Sequence, residues 1–150
     1  MKIAIAADHG GYQLKTVLVA YLQEKGYDYT DFGTDSEESV DYPAFGKKVG
    51  EEVASGRYDR GVVICGTGIG IGISANKIPG IRCALCHDVY SAQATREHND
   101  SNMLSMGGRV IGPGHALMVL EVWLHTDFAG GRHQRRVEAI AAIEKEHRAE

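Results

Sequence analysis

One thiol, Cys65, stands where an apolar run meets alternating glycines, in Gly61-Val-Val-Ile-Cys-Gly-Thr-Gly-Ile-Gly-Ile-Gly72. The β-branched stretch 61–65 has the pattern of a strand buried on both faces of a parallel sheet. Gly66, Gly68, Gly70 and Gly72 let the chain turn and let main-chain N–H groups approach a ligand closely. The pattern from Ile69 to Lys77 predicts a helix whose free first-turn N–H groups face the same spot, which suits an oxyanion or a phosphate. A tight strand-to-helix turn with no ligand would read the same way. A helix N-terminus favours a thiolate over a thiol, and a thiolate can attack a carbon or remove a proton. A cysteine ending an apolar strand can equally be inert core. Two nucleotide motifs fail here. The dinucleotide fingerprint needs glycine at 71 or 73, where Ile71 and Ile73 stand, and the Gly-Lys-Ser/Thr ending of a phosphate loop is absent.

Three other groups offer chemistry. Asp8-His9-Gly10-Gly11 ends an apolar run and presents a carboxylate beside an imidazole; Asp8 could also cap the following helix. Arg96-Glu-His98-Asn99-Asp100 crowds polar groups at a helix end, where His98 and Asn99 either reach a ligand or satisfy the last carbonyls. Gly130-Gly131-Arg132-His133-Gln-Arg135-Arg136 puts Arg132 and Arg136 four apart on one helix face. Like charges at that spacing repel, and a phosphate between two arginines would remove the penalty; pairing with Glu138 is the plainer alternative. Cys83 and Cys86 form a C-x-x-C, but within a strand they point to opposite faces, which makes them core residues rather than metal ligands or a redox pair.

The elements that must hold these groups follow from periodicity. Apolar runs at 3–7, 28–32, 61–65, 81–86 and 102–106 alternate with helix-compatible segments at 11–25, 42–55, 69–77, 88–98 and 113–125, with a final helix over 131–148. That alternation predicts one three-layer α/β/α, Rossmann-like domain over 1–150, with a five-stranded parallel sheet and an extended C-terminal helix. Ligands in such sheets lie beyond the carboxyl ends of the strands where strand order reverses, so the loops after the first and third strands should be neighbours. The last helix has an apolar face of Val137, Ile140, Ala141 and Ile143, for its own domain or a partner; the charged tail 144–150 is expected to fray.

At 150 residues the chain can bury a core without metal or disulfide staples. Sixteen Lys and Arg against twenty Asp and Glu give a formal charge of −4, which argues against nucleic-acid or membrane-surface binding. An odd number of cysteines, no spanning apolar run and no cleavable leader make the cytoplasm the expected compartment.

Seven stretches carry a resemblance that runs, in order, along nearly the whole chain. They are Ala7-Asp8-His9-Gly10-Gly11, Asp41-Tyr42-Pro43, Ile64-Cys65-Gly66-Thr67-Gly68-Ile69-Gly70, Ala75-Asn76-Lys77, Glu97-His98-Asn99-Asp100, Gly107-Gly108-Arg109 and Gly131 to Glu138. On them the chain resembles the ribose-5-phosphate isomerase B family, which also includes galactose-6-phosphate isomerase subunits. The resemblance implies interconversion of ribose 5-phosphate and ribulose 5-phosphate through an enediolate, in the pentose phosphate pathway, without metal or organic cofactor. It implies Cys65 as general base, Thr67 as hydroxyl-proton shuttle, and the backbone of Gly66, Gly68, Ile69 and Gly70 as the enediolate cradle. His98 would open the sugar ring, Asp8 would bind hydroxyls and Asn99 would orient the substrate. Arg132 and Arg136 would hold the phosphate, with His9 and Arg109 as further contacts.

Some members of that family use a loop glutamate as base; here no acidic residue lies between 60 and 87, which leaves Cys65. An ordinary cysteine is only a few per cent thiolate at neutral pH, so the mechanism requires the loop to favour the thiolate. The resemblance further implies a homodimer or dimer of dimers, with Asp8 and Cys65 of one chain meeting His98, Asn99 and Arg109 of the other. The alternatives are a six-carbon sugar 6-phosphate of allose or galactose as substrate, or a non-catalytic small-phosphate binding module on the same scaffold.

Overall fold

The computed structural model describes residues 1–148. Five strands, β1 (Lys2–Ala7), β2 (Asp28–Asp31), β3 (Arg60–Cys65), β4 (Cys83–Leu85) and β5 (Met103–Gly107), form one parallel sheet in the order β2-β1-β3-β5-β4. The helices are α1 (Tyr12–Glu24), α2 (Tyr42–Ala54), α3 (Ile69–Ala75), α4 (Val89–Asn99), α5 (Pro113–His125) and α6 (Arg132–Glu146). Among the described residues no helix is long and apolar enough to cross a membrane.

The central strands β1, β3 and β5 are mostly apolar because both sheet faces are covered there, whereas the edge strand β2, Asp-Tyr-Thr-Asp, is polar and only partly buried. Ile3, Ile5, Val62, Ile64, Leu104 and Met106 point to one face, where they meet Leu14 and Leu18 of α1, Ala92 of α4 and Leu120 and Trp123 of α5. Ala4, Ala6, Val63, Cys65 and Met103 point to the other, against Val49 and Val53 of α2 and Ile71 and Ala75 of α3. The period of two along each strand feeds both cores, giving the expected three layers.

Several elements are a few residues shorter than their patterns suggested, and at β4 and α3 the structure shows why. β4 covers Cys83–Leu85 rather than 81–86, because it is the sheet edge and asparagine side chains replace ladder partners there. Asn102 Oδ1 accepts from the Arg82 N–H at 2.8 Å, and Asn76 brackets Cys83, accepting from its N–H at 2.8 Å and donating to its carbonyl at 2.9 Å. That covers an edge that would otherwise invite pairing with another chain. α3 ends at Ala75, before the expected Lys77, as Asn76 turns to this task.

Cys83 and Cys86 do fall on opposite faces of the sheet, and burial pushes their thiols up to about 12 and about 11. Neither has useful thiolate at neutral pH. Iodoacetamide at pH 7.5 is therefore expected to label Cys65 ahead of both, with peptide mass spectrometry as the readout.

α6 packs beside α4, and the link to it is tied down by the Ala129 N–H donating to the Glu97 carbonyl at 3.1 Å. Fraying does not begin at 144: α6 continues through Glu146, and the Glu144 carboxylate accepts from the Gly80 N–H at 3.0 Å. Residues 149 and 150 of the expected tail lie outside the described residues. No α6 side chain is buried, so its apolar face, with Ile143 61% exposed, is not spent on the core.

Glu52 on α2 makes folding pH-sensitive. Hydrogen bonds from Arg57 at 2.6 Å and Lys48 at 2.8 Å hold its carboxyl down to about 2, from an ordinary 4.5. With the folded value below the unfolded one, this stabilisation is complete above pH 4.5 and is lost as pH falls toward 2. Urea midpoints of wild type and Glu52→Gln should differ at pH 6 and converge toward pH 3, a measurement that also reports any other source of acid lability.

Candidate active site

β1 leads to β2 on one side and β3 leads toward β4 on the other, so strand order reverses between β1 and β3. A cavity of about 490 Å³ opens there, at the carboxyl ends of the strands. Asp8 and His9 after β1, Cys65 to Thr67 after β3 and Arg109 after β5 line it. The loops after the first and third strands are neighbours, as expected: the Asp8 N–H donates to the Ile64 carbonyl at 3.1 Å.

The glycine loop is built around the sulfur. Gly68 adopts φ +76°, and a Cβ there would lie 2.6 Å from the Met106 carbonyl carbon, so the turn demands glycine twice over. This bend brings the Gly68 N–H to 3.1 Å from Cys65 Sγ, a bond that strengthens when the sulfur is a thiolate. Thr67 Oγ1 accepts from the Ile69 N–H at 3.2 Å. The N–H groups of Gly66, Thr67 and Gly70 donate to no acceptor among the described residues, which leaves them for a ligand. α3 is only seven residues long, so these local donors matter more than any helix dipole. The loop after β5 is clamped onto this one, with Gly108 N–H donating to the Cys65 carbonyl at 2.8 Å and Arg109 N–H to the Gly66 carbonyl at 3.0 Å.

Asp8 is 5% exposed, and its Oδ1 accepts from the Gly11 N–H at 3.1 Å, so it both shapes the turn into α1 and lines the cavity. Asp8 orders the turn before α1 without capping the helix, whose N-cap is Gly11. His9 Nδ1 accepts from the Val40 N–H at 3.2 Å, which puts the proton of the neutral ring on Nε2.

The remaining expected residues gather elsewhere. His98 and Asn99 at the end of α4 and Arg132 and Arg136 at the start of α6 do not line this cavity. The carbonyls at the end of α4 are satisfied by other residues: Arg82 donates to the Asn99 and Asp100 carbonyls at 2.9 and 2.8 Å, and Arg96 donates to the Ser101 carbonyl at 2.6 Å. The side chains of His98 and Asn99 make no hydrogen bond among the described residues, which removes the capping explanation for them. Glu138 accepts from Gln134 at 2.9 Å, and neither Arg132 nor Arg136 has an ion-pair partner among the described residues.

His98 stacks on His133 with ring centroids 4.3 Å apart. Burial, then the charges of His98, Arg132 and Arg136, press the His133 pKa below its usual range, against the pull of Glu97. The expected residues thus fall into two separate groups within one chain. Arg109, which the resemblance implied would arrive from another copy, belongs to the cavity of its own chain.

Sequence reasoning missed Tyr42 and Ile73 in the wall. A Cβ on Gly70 would lie 2.5 Å from Tyr42 Cζ, so that glycine makes room for the ring as well as exposing its own N–H. Asp41-Tyr42-Pro43 at a helix start was the signal available, since Pro43 near the helix start fixes where Tyr42 is presented.

The family model described as Ribose/Galactose Isomerase matches residues 3–140. The chain belongs to this family. It is 51% identical over 144 residues to ribose-5-phosphate isomerase B of Escherichia coli strain K12, covering 96% of this chain and 97% of that one. Its fold is similar to ribose-5-phosphate isomerase B of Clostridium thermocellum, with TM-score 0.97 and 55% identity over 99% of this chain and 100% of that one. A further family structure, ribose-5-phosphate isomerase B from Mycoplasma genitalium with bound ribulose-5-phosphate, aligns with TM-score 0.92 and 35% identity over 97% of each chain.

Proposed function

We propose that the protein interconverts ribose 5-phosphate and ribulose 5-phosphate through an enediolate, with Cys65 as the base. The observation that carries this reading is a thiol hydrogen-bonded by the Gly68 N–H at 3.1 Å, at a cavity whose other loop N–H groups are unspent. A proton abstraction next to a carbonyl needs this pairing of base and oxyanion donors. The relatives named as ribose-5-phosphate isomerase B support the choice of substrate.

In the proposed sequence His98 moves a proton during furanose opening, and Asp8 and Asn99 hold the open chain. The Cys65 thiolate takes the proton from C2, and the C1 carbonyl becomes an enediolate oxygen stabilised by the N–H groups of Gly66 to Gly70. Thr67 passes the hydroxyl proton from the C2 oxygen to the C1 oxygen. The Cys65 thiol then returns its proton to C1, leaving a ketone at C2 and a thiolate ready for the next turnover. Phosphate is held by Arg132 and Arg136, with Arg109 and the Nε2–H of His9. The sequence uses only groups of the chain itself.

Two copies complete the site. In one chain the Cys65 cavity lacks His98 and the phosphate arginines, while α6 leaves Ile140 46% and Ile143 61% exposed for a partner. A homodimer or dimer of dimers in the cytoplasm, where the three thiols stay reduced, fits both facts.

The reading is tested by following ketose formation from ribose 5-phosphate with chelator present, beside allose 6-phosphate and galactose 6-phosphate. Chelator-resistant turnover of the five-carbon substrate is expected. Turnover of a six-carbon substrate alone would move the assignment to it, and binding without turnover of any would leave a phosphate-binding module.

A further inference from the structure

His87 lies outside the cavity and outside every motif discussed above, yet it completes the sheet beneath the site. β4 pairs with β5 as far as Leu85 opposite Ser105, and the Cys86 N–H donates to the Ser105 carbonyl at 3.2 Å. In a parallel ladder alternate residues face the same neighbour, so the next β5 donor on this side is the Gly107 N–H. The chain leaves the sheet after Cys86, and no main-chain carbonyl of β4 meets that donor. The imidazole takes its place: the Gly107 N–H donates to His87 Nε2 at 2.8 Å.

Gly107 opens the segment that grips the glycine loop. The next two N–H groups, of Gly108 and Arg109, hold the Cys65 and Gly66 carbonyls at 2.8 and 3.0 Å. The backbones here are packed without slack. A Cβ on Gly107 would lie 2.6 Å from the Thr67 carbonyl carbon, and one on Gly108 would lie 2.6 Å from the Gly10 carbonyl oxygen. A shift at the end of β5 therefore passes to the loops after β1 and β3 instead of being absorbed.

We infer that His87 is a positioning residue whose neutral imidazole anchors the end of β5 and so keeps Arg109 and the Cys65 loop in register, and that its protonation in acid releases the anchor. The inference rests on the roles given to Cys65 and Arg109 under Proposed function. An imidazole nitrogen accepts from an N–H only while its lone pair is free, and imidazolium has none. Two titratable groups act on the ring, Asp88 and His115. Asp88 favours its protonation, though that carboxylate is already engaged by the Ser91 N–H at 2.7 Å and Oγ at 2.8 Å. His115 of α5 opposes protonation. Burial of the ring, joined by the charge of His115, outweighs Asp88 and sets the His87 pKa below the ordinary 6.5, so the anchor is closed at neutral pH and opens in acid.

The test compares His87→Gln, whose side-chain oxygen accepts at any pH, with His87→Leu, which cannot accept. At pH 7.5 the glutamine variant is expected to keep wild-type kcat/KM for ribose 5-phosphate. The leucine variant should lose about ten- to a hundredfold, the scale set by misplacing a catalytic group by a fraction of an ångström. The wild-type decline on the acid side should be weakened in His87→Gln. Protection of the Gly107 amide against hydrogen exchange, corrected for intrinsic pH dependence, should fall in acid for wild type, persist in His87→Gln and be absent in His87→Leu at every pH. Identical acid limbs and identical Gly107 protection in wild type and His87→Gln would overturn the inference. Exchange behaviour as described from a protein that does not turn over ribose 5-phosphate would uphold the anchor and overturn the substrate reading instead.

Discussion

Cys65→Ala is expected to lower kcat for ribose 5-phosphate by about a thousandfold or more, the upper range for loss of a positioned general base. The polar groups nearest Cys65 already have partners: Asp8 Oδ1 accepts from the Gly11 N–H, His9 Nδ1 from the Val40 N–H, and Thr67 Oγ1 from the Ile69 N–H. Alanine removes the sulfur and leaves the unspent N–H groups of the loop in place, so sugar-phosphate affinity by calorimetry should stay close to wild type. Cys65→Ser separates chemistry from shape. Its hydroxyl can still accept from the Gly68 N–H but is far too weak an acid to supply an alkoxide at neutral pH, so it should be as inactive as alanine. An alanine variant with more than about a tenth of wild-type kcat would remove Cys65 from the role of base.

The second large effect separates the half-sites. Cys65→Ala and the double variant Arg132→Ala, Arg136→Ala should each be nearly inactive as pure oligomers, one for want of a base and the other for want of a phosphate grip. If each site combines the Cys65 cavity of one copy with the arginines of another, mixed dimers regain one intact site in two. Random mixing of equal amounts then restores about a quarter of wild-type activity, because half the dimers are mixed and each carries one working site of two. Differently tagged chains, co-expressed and purified as the mixed dimer, should show about half. Activity no greater than the sum of the parents would mean that each chain builds its own complete site.

The central strands β1, β3 and β5 were readable from sequence because strands buried on both faces need no alternation and stand out as apolar runs between helical segments; the edge strand β2 is polar and half-buried and carries no such mark. β4 was overestimated for a local reason, since Asn76 and Asn102 take over its edge hydrogen bonds and no propensity foretells that. Lys15 was invisible for a different reason. A lysine in α1 reads as a solvent-facing residue, yet it is 2% exposed and spends its ammonium on both Asp31 carboxylate oxygens and the Thr34 carbonyl, at 2.7 to 2.8 Å. The half-site around Cys65 was legible because strand ends and glycines mark it. That Arg109 lines the cavity of its own chain was not legible, because it depends on how Gly107 and Gly108 pack the loop after β5 against Thr67 and Gly10. The separation of His98, Asn99, Arg132 and Arg136 from the cavity was legible only through family resemblance. Nothing in the spacing of one chain states which copy supplies which group.

The central claim is that Cys65 moves a proton between C2 and C1 through an enediolate, and a solvent-label experiment tests it most directly. Ribose 5-phosphate is equilibrated with wild type in deuterium oxide, with Cys65→Ala run in parallel at matched enzyme concentration, and both sugars are read by NMR. The account predicts deuterium at C1 of ribulose 5-phosphate and at C2 of recovered ribose 5-phosphate with wild type, and none with the alanine variant. Equal deuterium uptake with Cys65→Ala, or isomerisation by that variant at the wild-type rate, would contradict it.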